Sequence, residues 1–500
     1  MREDISERDM GMGETRRSNG RGSWPVLMLM ALPLAAGGCA RFSPDGGLLT
    51  VQAMASEELG KEVVKIRSEE DAAYVAARVK VLLAKPVTVS SAVQIALLNN
   101  RGLQAAYNEL GISEAQMVEA SLPPPPTVSL LRLVGSGGYE IEATIVQNVL
   151  ALLTLPRRRE VAEARFKQAQ MRAVEATLRT AAEAQRAYYR AVATRQTLKF
   201  LEEARLSAEA LSDVAKRLGE TGAMTKLQQA REHVFYAEVS GQLATARLRE
   251  RIERERLTRA LGLWGADTKF ILPDRLKPLP AQPKSLPSVE HEAVLRRVDL
   301  IIAQMEIEIL AKQLGLTEAT RFINVLAVGG AAKREKDIIR TERGPEVDLI
   351  KRKGFDVEFQ IPIYDFGRAR VRQAEETYMQ AVNRLLERAV TVRSEAREAY
   401  QTYRGAFDIA KHYEKEILPL RQIISDETLL NYNAMITDLF DLLADARARI
   451  AANVQAIEAQ REYWLATVDL HAAIVGGRGG AGEAMATTAA VPTGAEAEAQ

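Results

Sequence analysis

Residues 157–218 contain neither proline nor glycine, and along them apolar or small residues return at alternating three- and four-residue steps. Met171, Val174, Leu178 and Ala181 set the stripe, and Gln185, Tyr188 and Val192 continue it. Val371, Ala374, Tyr378, Ala381 and Leu385 repeat it further along. A stripe averaging ~3.5 residues keeps one helix face against a partner helix, so the pattern predicts long coiled-coil helices. At ~1.5 Å per residue the first spans ~93 Å, which predicts an elongated shape. The many alanines in the stripe permit close helix approach.

Two segments switch to a period of two. In residues 139–149, Tyr139, Ile141, Ala143, Ile145 and Val149 alternate with Glu140, Glu142, Thr144 and Asn148, with Gln147 out of step. In residues 354–364, Phe355, Val357, Phe359, Ile361 and Ile363 alternate with Asp356, Glu358 and Gln360. Eleven residues of this kind match a tilted membrane β-strand, apolar towards lipid and polar towards a lumen. Partner strands are expected at about 127–134 and 322–331; these alternate poorly and their facing stays open. Gly135, Gly137 and Gly138 predict the first hairpin turn. Residues 332–353, dense in charge of both signs, read as an exposed polar loop.

The order of elements occurs twice. ALLNNRGL at 96–103 aligns with AVLRRVDL at 293–300, and Ala106/Ala303, Gln116/Gln313 and Val128/Val325 keep that register. Each copy runs helix, two strands, very long helix, turn and return helix. Helices are expected at about 89–121 and 226–262 in the first copy and 288–318 and 438–474 in the second. Gly219, Gly222 and Thr225 break the first long hairpin, and Asn431, Asn433 and Thr437 the second, with Thr225 and Thr437 as candidate N-caps. The division expected is 1–38 signal peptide, 39–85 N-terminal extension, 86–262 first repeat, 263–287 Pro-rich linker, 288–475 second repeat and 476–500 disordered tail.

Composition then narrows the classes. The chain has 500 residues, 47% of them hydrophobic, with 67 Lys plus Arg against 66 Asp plus Glu. A net charge of +1 argues against a nucleic-acid binder, and the apolar content argues against a wholly disordered chain. One cysteine, Cys39, excludes an intramolecular disulfide framework or a cysteine-rich metal site. His233, His291, His412 and His471 lie well apart in the sequence, and none forms a closely spaced ligand pair. No nucleophile–base pair, phosphate loop or metal spacing occurs, so neither an enzyme nor a cofactor is expected beyond a covalent lipid on Cys39. The lipid expectation comes from the N-terminus: Arg16, Arg17 and Arg21 precede the apolar run WPVLMLMALPLAA at 24–36, followed by Gly37, Gly38 and Cys39. This resembles a bacterial lipoprotein signal, although Ala36 stands where leucine is usual; Met10 and Met12 offer shorter starts. Past that run, no apolar stretch approaches the ~20 residues of a spanning helix, so a mature chain that spans a membrane must do so with strands. Four strands cannot close a barrel in lipid, which makes oligomerisation a physical requirement.

AVQIALLNNRGLQAA (Ala92, Ala96, Leu97, Asn99, Asn100, Leu103), IPIYDFGRARVRQAE (Pro362, Asp365, Gly367, Arg368) and the two tip segments, in tandem order over about 86–475, resemble the TolC-like outer-membrane efflux family. The first copy has Leu155-Pro156-Arg157 where the second has Phe366-Gly367-Arg368, and the second tip lacks glycine. The resemblance implies a mainly α fold with a small β part. Long coiled-coil hairpins would form a periplasmic α-barrel, and four transmembrane β-strands per chain would complete a 12-stranded barrel in a homotrimer. It implies a passive exit duct in the outer membrane, its helices in the periplasm, partnered by outer-membrane lipid, a periplasmic adaptor and an inner-membrane transporter. Aspartates close the periplasmic end in the family. Asp441 matches one ring position, with Asp438 and Asp445 as neighbours and Ala444 at a position often acidic; Tyr432 is a candidate bridge between helices. Gly222, Thr225, Asn433 and Met435 are the candidate adaptor-docking tips. Arg157, Arg158 and Arg159 mark the expected junction of strand and helix. A periplasmic coiled-coil adaptor and a non-channel envelope scaffold are the alternatives; the single-hairpin plan of adaptors is disfavoured by the duplication. The cargo is not written in the sequence.

Overall fold

The computed structural model describes residues 42–135, 138–341 and 344–477. The signal segment with Cys39, the turn residue Gly137 and the tail from 478 onward lie outside the described residues. The chain divides into a β unit, drawn from 118–156 and 325–360, and a helical unit formed by most of the rest.

The β unit is one antiparallel sheet ordered β1 (Thr127–Gly135), β2 (Gly138–Asn148), β3 (Val325–Thr341) and β4 (Gly344–Gln360), followed after β2 by a short helix, α5 (Val149–Leu153). β1 and β4 are the sheet's two edges. The expected loop at 332–353 is instead largely strand: β3 and β4 run 17 residues each, paired from Val325↔Gln360 to Thr341↔Gly344. Its sequence disguised this because charged residues occupy both faces of the extension. Gly138 sits where an added Cβ would meet the Lys336 carbonyl oxygen at 1.7 Å, so the β2 start tolerates no side chain.

Directly paired residues of antiparallel strands share a face, so the register settles the facing left open by the sequence. Val128, Leu130, Ala143, Ile145, Val328, Leu326, Val357 and Phe359 lie on one face with Phe355, which is 83% exposed. The other face carries Ser129, Thr144, Glu140, Glu142, Asp356 and Glu358, together with Leu131 and Leu133.

In the helical unit, α1 (Leu49–Leu59) and α2 (Glu69–Leu83) precede α3 (Val89–Asn99) and α4 (Arg101–Ser121). The long helix α6 covers Leu155–Glu220 and α7 returns over Lys226–Ala260. A 3₁₀ turn (Gly265–Thr268) and the linker lead to α8 (Val289–Arg296) and α9 (Val298–Ala319). The second outgoing arm is α10 (Arg368–His412), a π turn (Tyr413–Ile417) and α11 (Leu418–Asn433); α12 (Leu439–Val475) returns. The π turn has a direct cause. Pro419 in a regular α-helix would press its ring on the carbonyl four residues back, and the wider turn, closed by Leu418 N–H to Tyr413 O, ends directly before it and gives room for the ring. No described helix is long and apolar enough to cross a membrane.

The helix expected at 89–121 is broken at Asn100 (φ −68°, ψ 115°), and the second copy breaks identically at Arg297 (φ −71°, ψ 118°). Asn100 N–H reaches Ala96 O at 2.9 Å and Arg297 N–H reaches Ala293 O at 3.1 Å, the positions that the sequence alignment pairs. The break is chemically distinct in each copy. Asn100 caps α4 through Leu103 N–H (3.1 Å), while Asn99 and Asn100 donate to the carbonyls of Gly262 and Ala260 that end α7. The buried Arg297 instead faces Asp299 at 3.0 Å and Glu395. Asp365 caps α10 by accepting from Gly367 and Ala369 N–H, which hold its carboxyl below the usual range, and Arg370 ties this turn to the carbonyls ending α9.

Alanine is the commonest buried apolar residue, Ala173, Ala181, Ala184, Ala191, Ala396 and Ala473 among them, and lets the helices approach closely there. Aromatic rings fill the wider places: Tyr189 stacks on Trp464 at 5.4 Å and Tyr463 meets Tyr403 and Phe407 at 5.6 Å. The segment between α1 and α2 runs extended and is held by side chains acting as a substitute strand. Gln104 donates to Val64 O (2.8 Å) and accepts from Ile66 N–H (3.0 Å); Gln94 treats Glu62 in the same way at 2.8 and 3.2 Å.

Candidate functional site: the hairpin tips

The two tips share one backbone design. In the first, Ala223 and Met224 N–H return to Leu218 O, and Gly222 N–H to Gly219 O. In the second, Ile436 and Thr437 N–H return to Asn431 O, and Met435 N–H to Tyr432 O. Both turns require one residue in the left-handed region, occupied by Gly222 (φ 78°) and Met435 (φ 59°). The second tip thus replaces glycine with a strained methionine whose side chain is 94% exposed. Each return helix is capped by the residue three further on. Thr225 forms a reciprocal cap with Gln228, as its sequence suggests. In the second tip the cap falls on Asp438 rather than on Thr437, because Asp438 Oδ1 accepts from Phe440 N–H (2.8 Å) and Asp441 N–H (3.1 Å). Asn433 is exposed beside it.

Met224 of the first tip and Tyr432 of the second pack on the same apolar cluster, formed by Ala208, Phe235, Val239, Leu439 and Leu443. Cations brace α7 against α12 there: Arg231 lies 3.9 Å over the Phe440 ring, and Arg447 pairs with Glu238 at 3.0 Å. The four acidic and aromatic candidates consequently differ in environment. Asp438 is committed to capping. Asp441 is exposed in the first turn of α12, where negative charge suits the helix start. Asp445, one turn on, is only 8% exposed, and its Oδ1 has no hydrogen-bond partner. Tyr432 is half-buried.

The sequence reading overlooked Glu232 of α7. It is 1% exposed, one of its oxygens is unpartnered, and burial raises its carboxyl above the ordinary value against an opposing pull from Arg447. A glutamate among small and apolar positions looks like any solvated helix acid until the facing helix is known. His233 next to it hydrogen-bonds Ser212 at 2.7 Å. At the other end of α6, Arg157 donates to Gly315 O at 3.1 Å and Arg159 pairs with Glu163.

The chain is a duplicated unit of long helical hairpin and strand pair, with one sheet face largely apolar and all the acidic residues of the strands on the other. Comparison with solved structures finds the same fold elsewhere. The chain is similar to the Campylobacter jejuni CmeC outer membrane channel (TM-score 0.64, 17% identity, 78% of this chain and 86% of that one). It is also similar to the open state of the Neisseria gonorrhoeae MtrE outer membrane channel (TM-score 0.62, 14%, 78% and 89%) and to the Vibrio cholerae outer membrane protein VceC (0.60, 13%, 78% and 96%). No family model matches the sequence, and no curated protein matches it. The chain has the TolC-like outer-membrane channel fold.

Proposed function

We propose that this protein is a passive exit duct of the outer membrane, working as a homotrimer with a periplasmic adaptor and an inner-membrane transporter. The observation that carries the reading is the sheet. One face exposes Val128, Leu130, Phe355 and Phe359, which suits lipid, while the opposite face is polar and acidic, which suits a lumen. Among the described residues the outer edges of β1 and β4 are unpaired, and open edges are not tolerated in lipid, so in this reading neighbouring copies pair them. Three copies give twelve strands. The CmeC and MtrE structures, both of outer membrane channels, support the same reading. In this reading the helical unit lies in the periplasm and the tips, with Gly222, Thr225, Asn433 and Met435 at their turns, dock the adaptor. Asp441 converges with its two symmetry copies in the constriction; Tyr432 bridges neighbouring helices.

Extraction of the complex from outer membranes, its mass in detergent and its conductance in planar bilayers test the duct. We propose in addition that Cys39 is acylated. Cys39→Ala should leave a precursor or unlipidated product, and an unchanged mature mass would refute acylation. Channel activity is expected to persist, since the barrel itself anchors the protein.

A further inference from the structure

The sheet separates charge by face more sharply than a lipid–lumen alternation requires. On the apolar face, three successive cross-strand rows turn cationic beyond Phe355. Lys353 lies level with Leu130, Lys351 pairs with Arg334 in the row that also holds Arg132, and Lys336 follows level with Tyr139 and Val134. Lys336 Nζ stands 6.0 Å from the Tyr139 ring centroid. No acidic side chain described on this face occurs in β1 to β4. The acids of the same strands, including Glu140, Glu142, Glu335 and Asp337, all lie on the other face, where Lys333 pairs with Glu140 at 2.5 Å. Arg132, Arg334, Lys336, Lys351 and Lys353 have no carboxylate partner among the described residues.

Arg132, Arg334, Lys351 and Lys353 are exposed. Such a group directly bordering an apolar band would be costly in hydrocarbon and needs an anion at the level where the band ends. We propose that this belt binds the phosphates of anionic membrane lipid, with the acyl chains lying on Phe355, Val357 and Phe359. Two arginines provide paired N–H donors matched to phosphate oxygens, and the lysines add charge. Lipid is favoured over free phosphate because the cations continue an apolar surface rather than line a cavity. The inference rests on the outer-membrane reading above, which orients the apolar face towards lipid.

The test uses the full chain in detergent, titrated with phosphatidylglycerol or with phosphatidylcholine of the same acyl chains, with adducts counted by native mass spectrometry. Wild type should retain phosphatidylglycerol preferentially. The triple variant Arg132→Gln, Arg334→Gln, Lys351→Gln should bind it about a hundredfold more weakly at low salt, from about fivefold per cation. Lys333→Gln, on the other face, should not change it, and the charge-keeping pair Arg132→Lys, Arg334→Lys should largely preserve it. The proposal is overturned if both lipids bind equally, if the triple variant binds like wild type, or if millimolar inorganic phosphate displaces the lipid. Bilayer conductance of wild type tests the duct separately, so a conducting protein without lipid preference removes this inference alone.

Discussion

Replacing Gln104 by leucine should release the N-terminal segment from the helical unit. Gln104 is 6% exposed and makes two hydrogen bonds to the extended segment, 2.8 Å to Val64 O and 3.0 Å from Ile66 N–H. Each bond contributes about 0.5–1.5 kcal/mol net, and each backbone group left unpaired costs about 1–3 kcal/mol. Because leucine restores some apolar burial, the expected loss is about 2–4 kcal/mol. At ~1.4 kcal/mol per tenfold, local opening should rise by roughly 30- to 1000-fold. The loss is local: Val63 and Val51 remain buried in the adjoining core, and α6 and α12 make no use of Gln104 in the bonds described. Hydrogen exchange followed by mass spectrometry on peptides spanning 60–67 reads this directly, and trypsin at Lys61, Lys65 and Arg67 supplies an independent readout. Gln94→Leu should do less, since its bonds to Glu62 are exposed. Unchanged exchange at Ile66 in Gln104→Leu would refute the substitute-strand argument.

Glu232→Gln should stabilise the tip near neutral pH and not in acid. The folded carboxyl is raised by burial, so stability is full below the unfolded value and falls as pH rises through the folded one; thermal unfolding across pH should show the two proteins converging in acid. Equal stability at every pH would contradict this. Asp441→Asn should lower cation selectivity and relieve block by polyvalent cations in bilayers, while the buried Asp445→Asn should do less; the reverse ranking would move the ring to Asp445. Met435→Gly should stabilise the second tip by roughly 1 kcal/mol by removing left-handed strain, and Gly222→Val should cost at least that at the first, both read by denaturant unfolding.

Much of the helical fold is legible because the coiled-coil stripe is a local signal: the break-free run at 157–218 becomes α6, Leu155–Glu220. Features set by partners are not. Strands β3 and β4 read as loop beyond Phe355 because cations replace apolar residues on the face that carries Phe355, erasing the period of two. β1 alternates poorly because Leu131 and Leu133 sit on the acidic face. The break at Asn100 has no proline to announce it; the side chain that makes it is visible only once Leu103 N–H and the end of α7 are in place. At the tips, capping near 225 and 438 follows from local chemistry, whereas burial of Glu232 and Asp445, 213 residues apart in sequence, depends on α7 meeting α12.

The mass of the detergent-extracted complex, measured on the same sample that is then examined for single-channel conductance, tests the central claim most directly. Among the described residues the outer edges of β1 and β4 are unpaired, so under the proposed function the account predicts a trimer that conducts. A stable monomer that conducts, or a complex released from membranes without detergent that never conducts, would contradict it.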